Sequence, residues 1–436
     1  MKNYYDVIVV GSGAAGLSCA LKLNSGYDVC LISKKTIDEA NSYLAQGGIS
    51  IKRKDEDLQD YIEDTLKAGH YENDFEVVEE ILKGSPKVIE ELINYGILFD
   101  KTDKGEYSLH KEGGHKVPRV YHVGDYTGRS ICESMAKIVG KRPNLDICED
   151  TTFYDLIIEN QRAVGIKVYN NGEYKNIYSR AVVLATGGIG GLFNSSTNYK
   201  SIAGNGISIA LKHGIKVENI DCIQIHPTSL YTKIDGRKML ITEALRGEGG
   251  ILLDNRGNRF IDELLPRDIV SQAIKKKMDE DDMKFVYLSL ENIKNRNEIY
   301  REFPTVFDAC KGEGIDIREE MIPVCPSQHY HMGGIKAKVN GRTSLDGLYA
   351  IGEVACTGFH GKNRLASNSL LEACLCGIKS AEDINGELIK FYGKIKENNE
   401  KRKIEQVMQG YHNALIENIR ERNNTFYEYW LKAENA

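Results

Sequence analysis

Apolar residues along this chain gather into short, β-branched runs that end at glycine. The first, Tyr5-Asp6-Val7-Ile8-Val9-Val10, runs straight into Gly11, and its length and composition predict a buried strand. Leu17 to Leu23 carries helical spacing and Tyr27 to Ser33 is apolar again, so the N-terminal segment reads strand, glycine turn, helix, strand. Ala181-Val182-Val183-Leu184-Ala185 ends in Thr186-Gly187-Gly188, and Gly347-Leu348-Tyr349-Ala350-Ile351 ends in Gly352-Glu353. Three glycine-ended strands so far apart predict one sheet interrupted by insertions, an α/β fold of the Rossmann type.

Between the second and third runs the pattern becomes charged and helix-prone. This predicts an inserted α+β capping domain over 220–331, which divides the dinucleotide-binding domain into 1–219 and 332–385. Residues 386–436 read as a short C-terminal helical segment that includes Tyr427-Glu428-Tyr429-Trp430-Leu431. The total of 436 residues agrees with two to three domains. No apolar run reaches the roughly 18 to 20 residues that span a bilayer, and the first apolar run is followed by glycines with no cleavage pattern, so it predicts no leader and no membrane association.

Charge and cysteine content narrow the partners. A net charge of -6 gives no electrostatic reason to expect nucleic acid, and Lys275-Lys276-Lys277 is balanced by the acids from Asp279 to Asp282. The ten cysteines are scattered; the tightest spacing, Cys374-x-Cys376, matches neither a redox nor a zinc motif. A reduced cytoplasmic protein without structural metal is expected.

Gly11-Ser12-Gly13-Ala14-Ala15-Gly16 follows a strand and opens a helix, the setting in which glycines admit a pyrophosphate to a helix N-terminus. The acidic residue expected at the end of the second strand is absent. Ser33-Lys34 stands there, and Lys34 could hold a phosphate, which leaves NADP and FAD both open at this point. Gly352-Glu353 resembles the pair that a late strand of FAD-binding Rossmann proteins delivers to the ribityl chain, and this favours FAD.

Several further segments put arginine or histidine beside glycine or in short polar loops: Glu112-Gly113-Gly114-His115, His226-Pro227-Thr228, Thr242 to Gly250, Pro266-Arg267-Asp268, His329 to Gly334 and Asn363 to Leu370. Taken singly, each arginine suits a surface salt bridge and each histidine a satisfied loop position. Together they suit a dicarboxylate, because planar guanidiniums bind carboxylates in pairs and neutral histidines donate further hydrogen bonds. Hydride removal also requires a proton to leave the neighbouring heteroatom, hence an ordered acid or base.

These runs, together with Ala45-Gln46-Gly47-Gly48-Ile49, resemble the succinate dehydrogenase and fumarate reductase flavoproteins from Tyr5 to about Ile384, and most closely their L-aspartate oxidase branch. The resemblance implies FAD held by Gly11, Ser12, Gly13, Ala14, Ala15, Gly16, Lys34, Asn41, Ser42, Tyr43, Leu44, Ala45, Gln46, Gly47, Gly48, Asn205, Glu353, Ser369 and Leu370. Asn41 stands where membrane-associated relatives carry a flavin-linked histidine, which implies non-covalent FAD. Asn205 replaces a common aspartate, keeping hydrogen-bonding capacity without the charge.

For the substrate, the resemblance implies that His226, Thr242, His329 and Arg364 hold two carboxylates while Arg267 serves as acid/base. Glu243 and Arg246 would complete a proton path, a pairing that a structural ion network explains equally well. Glu112 occupies a position that is apolar in succinate and fumarate enzymes; an anion there attracts an ammonium group. The implied reaction is oxidation of L-aspartate to iminoaspartate, with hydride passing from Cα to flavin N5 and reoxidation by O2, giving H2O2, or by fumarate. This is the first step of de novo NAD biosynthesis, with quinolinate synthase as functional partner. A soluble fumarate reductase is the nearest rival, and a flavin-carrying relay subunit a rival of another class. No iron–sulfur cysteine pattern supports the latter. The tail beyond 386 is shorter than the family's three-helix domain, and a monomer or weak homo-oligomer is expected.

Overall fold

A computed structural model describes residues 1–233, 236–294, 296–387, 396–397 and 403–432. The helical segment expected over 386–436 therefore lies partly outside the described residues. Within them, one helix spans Ile404–Arg422, and Tyr427–Lys432 forms a wider π-type turn.

The three glycine-ended runs share one sheet, as their pattern predicts. Tyr4–Val10 pairs in parallel with Val29–Ile32 on one side and with Glu173–Leu184 on the other, and Leu348–Ala350 pairs in parallel with Glu173–Leu184. Leu145–Cys148 extends the parallel edge. The strand ending at Leu184 starts eight residues before the apolar run, because its polar first half pairs antiparallel with Arg162–Asn170 and needs no buried face on both sides. That meander turns at Asn160-Gln161 and Asn171-Gly172, all with positive φ, the backbone that two-residue hairpins require. The first helix begins at Ala14, three residues before the helical spacing becomes visible, since alanines favour a helix without marking a face.

Strand alternation sends residues to two separate cores. Val7, Val9, Val29, Leu31, Ala181 and Val183 pack with the helices Ala14–Lys22, Phe75–Asn94, Thr127–Val139 and Asn368–Glu387. Ile8, Val10, Cys30, Ile32, Val182 and Leu184 pack on the other face with Asn205–Lys212 and Ile404–Arg422. Both faces are buried, which is why these strands read as continuous apolar runs. The helix beginning at Asn368 runs on to Glu387, so its last two residues pass the boundary expected at 385.

A third core lies wholly within residues 230–324. It covers an antiparallel sheet in the order Ile223–Leu230, Ile322–His331, Val286–Ser289, Ile251–Leu253, with the helix Arg267–Glu280 against it. The first two strands bridge the bodies: Ile223 belongs to the second core and Leu230 to the third, while His331 pairs with Ile223 at the junction.

Candidate active site

The parallel strands end at one edge of the sheet, where Gly11, Ser33, Ala185 and Ile351 open into a long cleft, as expected of α/β sheets. Its walls include every residue expected to bind ligand or carry chemistry except Ala14, Gly16 and Arg246. Gly16 supports the turn instead: a Cβ there would lie 1.9 Å from the Gly11 carbonyl oxygen. Ala14 donates its N–H to Ser42 Oγ at 3.1 Å, tying the glycine turn to the loop Asn41–Leu44. The first intrahelical bond is Leu17 N–H to Gly13 O, which leaves earlier N–H groups without helical partners at the cleft.

At this end of the cleft Ser12 and Ser33 join through their hydroxyls at 2.9 Å, and Lys34 donates to the Ser201 carbonyl at 2.7 Å with two further protons to offer. Asn41 accepts the Tyr199 N–H. Glu353, half-buried and receiving the His331 N–H at 2.9 Å, is pushed up by desolvation to about 7. Gln46 Oε1, Thr186 Oγ1 and Asn205 Oδ1 are buried on the cleft without partners among the described residues. A glycine turn, a lysine at the second strand and orphaned polar atoms along an extended cleft supply both the donors and the acceptors that a flavin dinucleotide needs.

The other end is a cluster of buried charge. Arg267, first residue of its helix, donates from Nε to Glu243 Oε2 at 2.6 Å and from Nη1 to Gln224 Oε1 at 3.0 Å. Arg246 lies behind the wall, its Nη2 3.5 Å from the same Glu243 oxygen and its Nη1 donating to the Glu263 carbonyl. Burial opposes ionisation of Glu243, but Arg267 and Arg246 more than offset it and hold the carboxyl below its ordinary range. Glu112 receives a hydrogen bond from Ser367 Oγ at 2.5 Å; burial first, and then the Glu243 charge, push its carboxyl up.

Arg364 lies with its guanidinium carbon 4.8 Å from the Tyr330 ring centre and donates to Ser369 Oγ at 3.2 Å. Burial lowers it to about 10, which leaves it charged at neutral pH, and its Nε has no partner among the described residues. His226 and His329 sit 5.1 Å apart edge to face. Burial, then Arg267, pushes both well below the ordinary histidine range, so both are neutral. His226 Nδ1 lies 3.2 Å from both the N–H and the carbonyl oxygen of Thr228, and its Nε2 is buried with no partner among the described residues. Thr197 holds His329 Nδ1 at 2.8 Å. Thr242 caps the short helix Glu243–Gly247 and stands on the same wall. Two guanidiniums, two neutral imidazoles and the buried Glu112 carboxyl thus line this end of the cleft.

Four participants carried no sequence signal that singled them out: Gln224, Thr197, Tyr330 and Ser367. Ser367 lay inside the run from Asn363 to Leu370, but nothing in that run marks which hydroxyl meets Glu112, 255 residues away. Gln224 links Arg267 to the Arg364 carbonyl and Asn363, and so joins the two arginine segments.

The family described as FAD binding domain matches residues 6–370. The chain is 44% identical over 386 residues to an L-aspartate oxidase of Clostridium perfringens, covering 88% of each chain. It is 45% identical over 383 residues to one from Clostridium acetobutylicum, covering 87% of this chain and 88% of the relative. The Bacillus subtilis L-aspartate oxidase is 39% identical over 387 residues, 87% of this chain and 71% of that one. Among solved structures, a quinol–fumarate reductase with menaquinol molecules superposes with a TM-score of 0.84 at 28% identity, over 96% of this chain and 76% of that chain.

Proposed function

This chain belongs to the L-aspartate oxidases of the FAD-binding-domain family, FAD-dependent oxidoreductases, and from that premise we propose how its residues carry out the reaction. L-aspartate lies with its two carboxylates held by Arg364, Thr242, His226 and His329, while Arg267 faces the reacting carbon from the cap. The substrate ammonium faces Glu112. The single observation that carries this reading is a buried carboxylate, Glu112, on the wall of a cleft otherwise built to bind carboxylates.

Charge balance supports the amino substrate. With Glu112 ionised, the guanidiniums of Arg246, Arg267 and Arg364 stand against the carboxylates of Glu112 and Glu243 and leave one net positive charge. L-aspartate carries one net negative charge at neutral pH and succinate two. Bound FAD supplies the hydride acceptor, held by the glycine turn, Lys34, the loop from Asn41 to Gly48, Asn205, Glu353, Ser369 and Leu370. As the Cα–H bond breaks, Glu112 holds the nitrogen and takes the proton it releases, giving iminoaspartate. In the reverse sense, Arg267 hands a proton to the carbon of bound fumarate and regains one through Glu243 and Arg246.

Residues 220–331 act as the cap, turning on the paired strands Ile223–Leu230 and Ile322–His331. FAD is non-covalent because Asn41 offers no nucleophile; acid precipitation should release all of the flavin. O2 or fumarate reoxidises the enzyme in the cytoplasm, and a quinolinate synthase consumes the unstable product on the route to NAD. The test is anaerobic bleaching of the flavin by L-aspartate or succinate. Bleaching by L-aspartate is expected, and bleaching by succinate alone overturns the reading.

A further inference from the structure

The segment from Ala366 to Asn368 is held at three consecutive residues. His115 Nε2–H donates to the Ala366 carbonyl at 3.0 Å, while Arg119 Nη1 donates to His115 Nδ1 at 3.0 Å, which fixes the tautomer. Arg119 is fully buried, paired with Asp57 and Asp64 and stacked on Tyr61. The Ser367 carbonyl accepts the Ser50 N–H at 3.2 Å. The Asn368 side chain accepts from Ser50 Oγ and the Tyr61 hydroxyl, both at 2.7 Å, and donates to Thr65 Oγ1.

Between these anchors Ser367 adopts φ +61°, a left-handed backbone that a non-glycine residue takes only where its surroundings enforce it. The result is a buried hydroxyl on Glu112 Oε2. The other oxygen, Oε1, lies against the Gly47 backbone, where a Cβ would come within 2.1 Å. Glu112 therefore has one oxygen held by a donor and the other packed against glycine on the cleft wall.

We propose that Ser367 is a positioning residue that fixes the Glu112 carboxylate as an acceptor for the substrate ammonium, and thereby sets the preference for an amino dicarboxylate over one bearing only hydrogen. This rests on the reading of Glu112 given above. Two physical consequences follow. A hydroxyl donor favours the ionised form of the carboxyl it touches, offsetting part of the burial and of the Glu243 repulsion that push Glu112 up. It also orients the carboxylate, so that the ammonium does not have to order it on binding.

The experiment uses the FAD-loaded enzyme with Ser367→Ala and Ser367→Gly, the second chosen because glycine accepts φ +61° without strain. Both should raise KM for L-aspartate by about 10-fold or more, as loss of a hydrogen bond to a charged group implies. Both should shift the acid limb of flavin reduction by L-aspartate to higher pH, and should change KM for fumarate far less. In a Glu112→Gln background, Ser367→Gly should add little further loss with L-aspartate. Equal losses with L-aspartate and fumarate, an unmoved acid limb, or full additivity with Glu112→Gln overturns the proposal. Failure of L-aspartate to bleach the unsubstituted enzyme instead overturns the reading of function, so the two failures are told apart.

Discussion

Glu243 is the carboxylate in ion-pair contact with both Arg267 and Arg246, at 2.6 Å and 3.5 Å, and all three side chains are buried. Glu243→Gln keeps the shape and an acceptor oxygen but deletes the charge. Two unit charges about 4 Å apart interact by about 4 kcal/mol at an effective dielectric constant near 20. Removing one partner of a buried pair costs about 3–5 kcal/mol when the remaining charge stays buried. A loss of stability of that order is expected, read as the shift in the urea midpoint at fixed FAD concentration, because bound cofactor itself stabilises the fold.

The same substitution has a second, signed consequence. The Glu243 charge is one of the causes that hold the Glu112 carboxyl up, so its removal lets Glu112 ionise at lower pH. The acid limb of flavin reduction by L-aspartate should then move down in pH even though the maximum rate falls. A stability loss below about 1 kcal/mol, the range of exposed ion pairs, would refute the buried network. An acid limb that moves up would refute the coupling between the two carboxyls.

Gly47→Ala would bring a Cβ within 2.1 Å of Glu112 Oε1, so it should displace that carboxylate and raise KM for L-aspartate more than KM for fumarate in steady-state assays. Arg364→Lys keeps the charge but loses the planar fork and the stacking on Tyr330, and weaker binding of both substrates is expected, measured as KM by initial rates. His115 and His331 are pushed down by burial to about 3 and about 4, and His226 and His329 also lie well below the ordinary value. The unfolded chain therefore binds more protons below about pH 6.5, and stability falls as pH drops through that value. His115 and His331 each cost about 2 kcal/mol by pH 5, and His226 and His329 add in the same direction. Glu353, raised to about 7, works in the opposite sense below that pH and offsets part of the loss, and urea midpoints of apoprotein from pH 7 to 5 would measure the net fall.

The strands of the main sheet could be read from the chain because burial on both faces leaves an unbroken apolar run, and the glycine turn because Gly11 and Gly16 have no room for a Cβ. The carboxylate-binding residues could be nominated because arginine and histidine beside glycine have few bland explanations when they recur as a set. The meander from Thr151 to Glu173 was not visible, since its strands alternate with polar residues and are organised by hairpin turns rather than by an apolar run. Sequence by itself thus determined the non-nucleophilic Asn41, the anion at Glu112 and the supply of guanidiniums. Tertiary structure alone decided that Ser367 meets Glu112, that one Glu243 oxygen serves two arginines, and that His226 and His329 are neutral. The physical reason is that hydrogen bonds and pKa values depend on distance through space and on exclusion of water, which only the packing of distant segments fixes.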